Sequence, residues 1–315
     1  MSDRRVLITG AAGYVGALLG AKLAKSMSVI GTDLRPRTDL GFECLGLDVR
    51  DQGLGRLMRE RRITHVVHLA SVLEDNRDRA REYDIDVNGT KHVIEAAITA
   101  QVRHLTVASS GAAYGYHADN PEWLTEAHPL RAGEAFAYAY HKRLVEELLA
   151  KYRASHPALG QLVFRICTVI GATTQNQITA LFLKRRLLGV RGSESRFVFI
   201  WDEDVAAAFA HGITGDRIGV FNLSGDGVMT LADIARELGK PLLVLPPSLL
   251  RGALAVGRTL GVSRYGPEQL DFLRWRPVLA NDLLKSSLGF TPRKSSHQAF
   301  LTFAEAQSGR RPAGQ

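Results

Sequence analysis

VLITGAAGYVG, residues Val6 to Gly16, is an apolar run that passes directly into a glycine-punctuated loop. Val6, Leu7 and Ile8 do not alternate with polar residues, which is the pattern of a parallel strand covered on both faces. Thr9 to Gly13 supply a turn, and Tyr14 to Lys25 (YVGALLGAKLAK) read as the helix that it feeds. Gly10, Gly13 and Gly16 have separate uses: a tight turn, a backbone bare enough to touch a pyrophosphate, and close packing of the helix on the strand. The helix N-terminus would aim its amides and dipole at those phosphates. The spacing is GxxGxxG, which alone fits a tight turn in any α/β protein equally well. The next apolar run, Ser28 to Thr32, ends on Asp33, where a carboxylate can accept hydrogen bonds from ribose hydroxyls and would repel a 2′-phosphate. That favours NAD over NADP, although Arg35 and Arg37 follow closely and Asp33 would also serve as a cap or turn residue.

A chain of 315 residues is long enough for one large domain or two sharing a core. Alternating strand and helix patterns argue for an α/β class. The formal charge of +8 and pI near 9.6 are modest for this length, and the arginines read as scattered. We therefore expect no nucleic-acid partner and a preference for anionic ligands. Cys44 and Cys167 cannot form a disulfide framework and no CxxC occurs, which fits a reducing cytoplasm. Arg4 and Arg5 precede an apolar segment, but glycines interrupt that segment and Lys22 and Lys25 charge it, so no export signal is read. The apolar run from Leu242 to Leu250 contains Pro246 and Pro247 and is too short to span a membrane. Only Ser308 to Gln315 reads as disordered.

Strand and helix patterns continue in order. Leu45 to Val49 end a third strand, His65 to Ala70 make a fourth, Arg81 to Ala100 a long helix, and His104 to Ser109 a fifth strand. Each strand's carboxyl end carries small or polar residues, and in an open parallel sheet that edge binds ligands. Ser110 stands there. Downstream, YAYHK places Tyr138 and Lys142 four residues apart, on one helical face. A phenol of ordinary pKa near 10 is a poor base at neutral pH, so Lys142 is expected to make Tyr138 more acidic. Ser110 would hold the same substrate oxygen while Tyr138 moves its proton. A YxxxK pair alone is common on amphipathic helices, and its weight here comes from the nucleotide-binding half before it. Tyr140 has no lysine at the matching spacing. His141 reads as a surface residue, and no histidine has metal-ligand spacing.

These residues resemble the extended short-chain dehydrogenase/reductases, the NAD-dependent epimerase/dehydratase family, along nearly the whole chain. TGAAGYVG is similar to the family's TGxxGxxG, HLAS at His68 to Ser71 to its strand-end HxAA, SSGAAYG at Ser109 to Gly115 to its SSxxVYG, and YAYHK to its YxxxK. FRICTVIGA (Phe164 to Ala172), FIWDEDVAAAF, VFNLSGDGVMTLADIA and SLGFTP (Ser287 to Pro292) follow the family's later segments in order. The resemblance implies a Rossmann-type doubly wound parallel sheet with a smaller, discontinuous C-terminal substrate lobe. The NAD-binding part would be 1–172 plus 197–224, and the lobe 173–196 plus 225–315. Ser110, Tyr138 and Lys142 would be catalytic. Gly10, Gly13, Tyr14, Val15, Asp33, Leu34, Asp48, Val49, Leu69, Ala70, Ser71, Tyr138, Lys142 and Cys167 would contact NAD. The bland alternative for Cys167 is a buried small apolar residue. A homodimer through the helices around Asp86 to Ala100 and Tyr138 to Tyr152 is expected.

Departures from the family pattern narrow the reaction. Gly111 and Ala112 stand where the family's dehydratases carry an acid pair, so an epimerase working through a transient ketone, or a net oxidoreductase, is expected. Thr168 replaces an asparagine and Phe197 an arginine that contact a substrate diphosphate, and Asp86 replaces a helix asparagine that supports the cofactor. Arg274 and Arg276 could bind an anionic group or lie on a solvated loop. The leading expectation is an NAD-dependent epimerase on a nucleotide sugar. The alternatives are a dehydrogenase or ketoreductase on a small hydroxyl or keto substrate, and a non-catalytic NAD-binding regulator.

Overall fold

A computed structural model describes residues 3–72, 78–259, 266 and 269–308. The first six strands are β1 (Arg5–Thr9), β2 (Ser28–Asp33), β3 (Glu43–Gly46), β4 (His65–His68), β5 (His104–Ser110) and β6 (Gly160–Ile166). The chain then leaves the sheet: β7 (Thr168–Ile170) pairs with β9 (Phe199–Trp201), and β8 (Leu187–Val190) pairs with β11 (Leu242–Leu245). Only β10 (Gly219–Leu223) returns, giving one seven-stranded parallel sheet in the order β10-β6-β5-β4-β1-β2-β3. The third strand ends at Gly46, short of the expected Val49, so Asp48 and Val49 lie in the turn after it.

The absence of alternation in β1 has its reason in the packing. Val6, Leu7 and Ile8 are all fully buried because helices cover both faces. On one side Val6 and Ile8 meet Leu19 and Leu23 of α1 (Tyr14–Leu23), with Phe164, Val205 and Phe209 behind them. On the other, Leu7 meets Leu54 and Met58 of α2 (Gly53–Glu60). The expected long helix is interrupted. It runs as α3 (Arg79–Tyr83), a π-helical segment Asp84–Asn88, and α4 (Gly89–Thr99), whose Val93, Ile94 and Ala97 join the same core. One extra residue per turn at this point brings Asp86 and Val87 inward.

Tyr138 and Lys142 sit on α5 (Ala137–Ser155), which adds Val145 and Leu149 to that core. The remaining helices are α6 (Gln177–Phe182), α7 (Asp202–Thr214), α8 (Leu231–Glu237), α9 (Pro247–Thr259), α10 (Gln269–Arg274), α11 (Asp282–Ser286) and α12 (Ser296–Ser308). A third core gathers Phe182, Phe197, Phe199, Ile234, Phe300 and Phe303. Phe197 and Phe199, expected on the sheet side of the chain, therefore pack with the C-terminal helices: their rings stack at 5.8 Å, and Phe300 lies 5.6 Å from Phe199. Of the tail expected to be disordered, Ser308 closes α12 and residues 309–315 lie outside the described part.

The order of strands reverses between β1 and β4, which opens a crevice at their carboxyl ends. Behind β5 a buried ion pair braces the sheet against α5. The Arg165 guanidinium donates to both Glu146 carboxylate oxygens, with Nη2 to Oε2 at 2.8 Å, and also to the Tyr114 hydroxyl at 2.8 Å. Removing one partner of such a pair leaves an uncompensated buried charge. Glu146→Gln is expected to cost about 3–5 kcal/mol. A Glu146→Leu, Arg165→Met double variant recovers most of it, as read from urea unfolding midpoints.

Candidate active site

The glycine loop forms as its spacing requires. Gly10 has φ +71°, and a Cβ there would lie 2.7 Å from the Ala70 backbone nitrogen at the end of β4. A side chain at Gly16 would meet the Gly10 carbonyl at 2.4 Å, so this glycine seats α1 on the loop. Gly13 opens α1 with no side-chain cap, leaving the first amides of the helix directed at the crevice. Val15 follows in that first turn, half-buried against the core behind β1. Asp33 closes β2, accepting from the Ala12 backbone N–H at 3.1 Å and the Arg35 N–H at 3.0 Å. Leu34, beside it, is exposed. Asp48 is engaged by Arg50 (2.6 Å), which holds its carboxyl below the usual range, while Val49 is buried against Gly89 at the start of α4.

Those features fit a dinucleotide. The cradle cannot accommodate a Cβ at Gly10, the helix N-terminus is uncapped, and a carboxylate stands at the end of β2. The Tyr14 side chain turns elsewhere: its hydroxyl donates to Asp202, at the start of α7, and lies 3.2 Å from the hydroxyls of Thr173 and Thr174.

At the ends of β4 and β5 the polar residues are cross-linked. His68 is fully enclosed between the Thr9 hydroxyl (2.7 Å) and the Thr90 hydroxyl (2.9 Å), and burial, with Lys142 nearby, pushes its pKa down to about 3. It is a neutral strut. Leu69 donates its N–H to the Thr9 carbonyl, and Ala70 abuts Gly10. The Ser71 hydroxyl and the Val72 N–H donate to one oxygen of Asp86, at 3.0 and 2.8 Å. The other oxygen lies 3.0 Å from Nδ1 of His141. His141 is 4% exposed, which corrects its reading as a surface residue. No pattern in the sequence announced the pair, because a π-helical turn and α5 are needed to bring the two residues together.

Ser110 closes β5, with its Oγ accepting from the Ala112 N–H at 3.1 Å. Its hydroxyl faces the Tyr138 phenol. Burial raises the Tyr138 pKa above its ordinary value, Ser110 pulls it back, and Asp86 pushes it up again. Lys142 makes no hydrogen bond to that phenol among the described contacts. Its ammonium donates to the Ala108 carbonyl at 2.9 Å and sits 5.6 Å from the Tyr138 ring centroid, over the ring instead of at the hydroxyl. Burial lowers the pKa of Lys142 itself, opposed by Asp86 and Glu146. Beside Ser110, a side chain at Gly111 would meet the Leu279 side chain at 2.9 Å, and neither Gly111 nor Ala112 carries an acid.

The substrate-side residues converge from segments far apart in sequence. Arg276 lies with its guanidinium carbon 4.7 Å from the ring centroids of both Phe197 and Phe272, and its Nη2 donates to the Thr168 hydroxyl at 3.1 Å. Its Nη1 is buried without a partner among the described residues. The two positions that depart from the family pattern thus hold the same guanidinium, Phe197 by its face and Thr168 by its oxygen. Tyr116 lies between the two halves of the site, its phenol raised to about 12 by burial and sensing both Arg276 and Tyr138. Arg276, Arg274, Trp275, Arg196 and Asn120 line a cavity of about 560 Å³. The Cys167 thiol packs in the core, with burial raising its pKa.

A fold of this topology, with a glycine cradle at the carboxyl edge of a parallel sheet, defines a dinucleotide-binding class of protein. The chain belongs to the NAD dependent epimerase/dehydratase family, whose model matches residues 6–223, and its cofactor is NAD. An uncharacterized protein of Mycobacterium tuberculosis is 22% identical over 307 residues, covering 94% of this chain and 82% of that one. UDP-glucose 4-epimerase 2 of Oryza sativa is 29% identical over 189 residues, 54% of this chain and 45% of its own. Among solved structures, UDP-glucose 4-epimerase from Thermotoga maritima with UDP-glucose superposes with a TM-score of 0.76 at 19% identity, covering 97% and 99% of the two chains. The Thermus thermophilus UDP-glucose 4-epimerase complex with NAD gives 0.74 at 23%, covering 98% and 100%.

Two outcomes follow from this geometry. Gly10→Ala is expected to lower NAD affinity at least tenfold, because the new methyl group meets Ala70; fluorescence titration with NADH reads this. Because the phenol is raised, the fraction of Tyr138 able to accept a proton grows with pH. Alcohol oxidation should therefore climb from neutral into the alkaline range while ketone reduction falls, and Tyr138→Phe should remove both limbs.

Proposed function

We propose that this protein is an NAD-dependent epimerase that works through a transient ketone on a nucleotide sugar. The observation that carries this reading is the placement of Ser110 and Tyr138 at one end of a cleft whose other end holds Arg276 with a buried, unpartnered nitrogen. A buried guanidinium without an acid is costly unless an anion completes it. The adjoining cavity, with Trp275 and Arg274, is large enough for a nucleotide; Arg196 there is paired with Glu122, which leaves Arg274 and Arg276 for phosphates.

In this mechanism Ser110 holds the substrate hydroxyl and Tyr138 Oη accepts its proton as the carbinol carbon loses its hydrogen. The same Oη returns the proton to the oxygen when the carbon is reduced from its opposite face. NAD, when bound, takes up the hydride and gives it back, so no net redox occurs. Lys142, anchored on Ala108, holds the Tyr138 ring and keeps a positive charge beside the crevice. The glycine cradle and Asp33 would hold the dinucleotide; Gly111 and Ala112, neither of them an acid, argue against the dehydratase variant of this chemistry.

Phe197 in place of a second arginine favours one alternative, a dehydrogenase or ketoreductase on a small substrate with a single anionic group for Arg276. Net redox separates the two. With UDP-glucose, the epimerase reading predicts formation of the 4-epimer without accumulating absorbance at 340 nm, from protein that purifies with NAD bound. Steady NADH production from a small carboxylate-bearing alcohol, and no epimer, would establish the alternative. Tyr138→Phe should reduce turnover by about 100- to 10,000-fold with the fold intact.

A further inference from the structure

The seven cations in residues 183–191 (LKRRLLGVR) and 240–259 (KPLLVLPPSLLRGALAVGRT) are unopposed by any acid in either stretch, and they match all but one of the chain's net charges of +8. The fold brings the two stretches together. β8 and β11 pair in parallel with Leu188 opposite Leu243 and Gly189 opposite Val244. The ladder is closed at its ends by bonds from Leu187 N–H to the Pro241 carbonyl and from Arg191 N–H to the Leu245 carbonyl. So Lys184, Arg185 and Arg186 stand at one end of the ribbon and Arg191 at the other, all exposed and without ion pairs among the described residues. Four cations thus flank one short ribbon, where the sequence alone suggested scatter.

Between those cations the ribbon presents aliphatic side chains to solvent. Leu188 and Leu243, paired on one face of the ribbon, are 41% and 45% exposed, Leu183 at the end of α6 is 54% exposed, and Leu249 and Val256, on one face of α9, are 58% and 57% exposed. Apolar side chains set in a basic frame are the composition of a surface that rests at a lipid interface. We propose that the β8–β11 ribbon and the start of α9 dock this protein on an anionic membrane surface, with the aliphatic side chains entering the headgroup boundary. No helix among the described residues is long and apolar enough to cross a membrane, so the association is peripheral.

Two observations favour lipid over protein as the occupant. A second copy meeting this face through a two-fold axis would bring like charges into register and repel. A strand adding to the free edge of β11 would meet Pro241 at one end and Pro246 and Pro247 at the other, which supply no N–H for a ladder.

Co-sedimentation with vesicles tests this. The full chain with NAD is expected to pellet with phosphatidylglycerol/phosphatidylcholine vesicles at 0.1 M salt, to stay in solution with phosphatidylcholine alone, and to dissociate at 0.5 M salt. Each cation at an anionic surface multiplies partition about fivefold, so Lys184→Glu, Arg185→Glu, Arg186→Glu should lower it at least a hundredfold. Leu243→Ser with Leu249→Ser should lower it at least tenfold at unchanged charge. Thermal midpoint and bound NAD report that each variant is folded. Failure to pellet with anionic vesicles, or equal pelleting with both vesicle types, overturns the proposal. So does sedimentation equilibrium showing a dimer that Leu243→Ser dissociates, because the face then belongs to a second copy.

Discussion

The backbone contact between Gly10 and Ala70 is the constraint on which this structure depends. β1 and β4 are neighbours in the sheet, and their carboxyl ends can converge only where one of them carries no side chain. That convergence sets the mouth of the crevice, the direction of α1 and the place where an anion meets uncapped amides. Gly16 then presses α1 onto the same loop, so cofactor cradle and hydrophobic core are built by one local sequence. A change tolerated by the core would still be felt in the cradle, because there is no slack backbone between them.

Around that mouth, buried polar groups link elements that the hydrophobic cores leave separate. His68 joins β1 to α4 through two hydroxyls, Glu146 and Arg165 join α5 to β6, and Asp86 joins the turn after β4 to α5. Such groups are costly to bury and cost little only when fully paired. Arg276, Arg274, Gln161 and Thr32 are exceptions among the described residues, each with a buried side-chain atom that has no partner. Of these, Arg276 and Arg274 line the cavity beside the site, where a bound anion would complete them.

Much of the fold was legible because parallel strands covered on both faces lack alternation, and because glycines at fixed spacing have few structural meanings. Ser110, Tyr138 and Lys142 were legible through strand-end position and helical spacing. What could not be read were properties of three-dimensional proximity. The position of the Lys142 ammonium on the Ala108 carbonyl, over the Tyr138 ring, was not readable from spacing, nor was the burial that raises the phenol. His141 was expected at the surface, and the spacing rule that placed Tyr138 and Lys142 on one face says nothing about the π-helical turn beside it. Phe197 and Thr168 looked like losses of substrate contacts, whereas in space both hold Arg276.

The π-helical segment Asp84–Asn88 has a consequence for how this chain can vary. Deleting one residue there would regularise the helix and rotate everything before or after it by about 100°. Either Asp86 would leave the interior or Val93, Ile94 and Ala97 would leave the core, and neither can be rescued by a single exchange elsewhere. Length in this short stretch is therefore under tighter restraint than residue identity, so insertions and deletions should be far rarer here than in the loops.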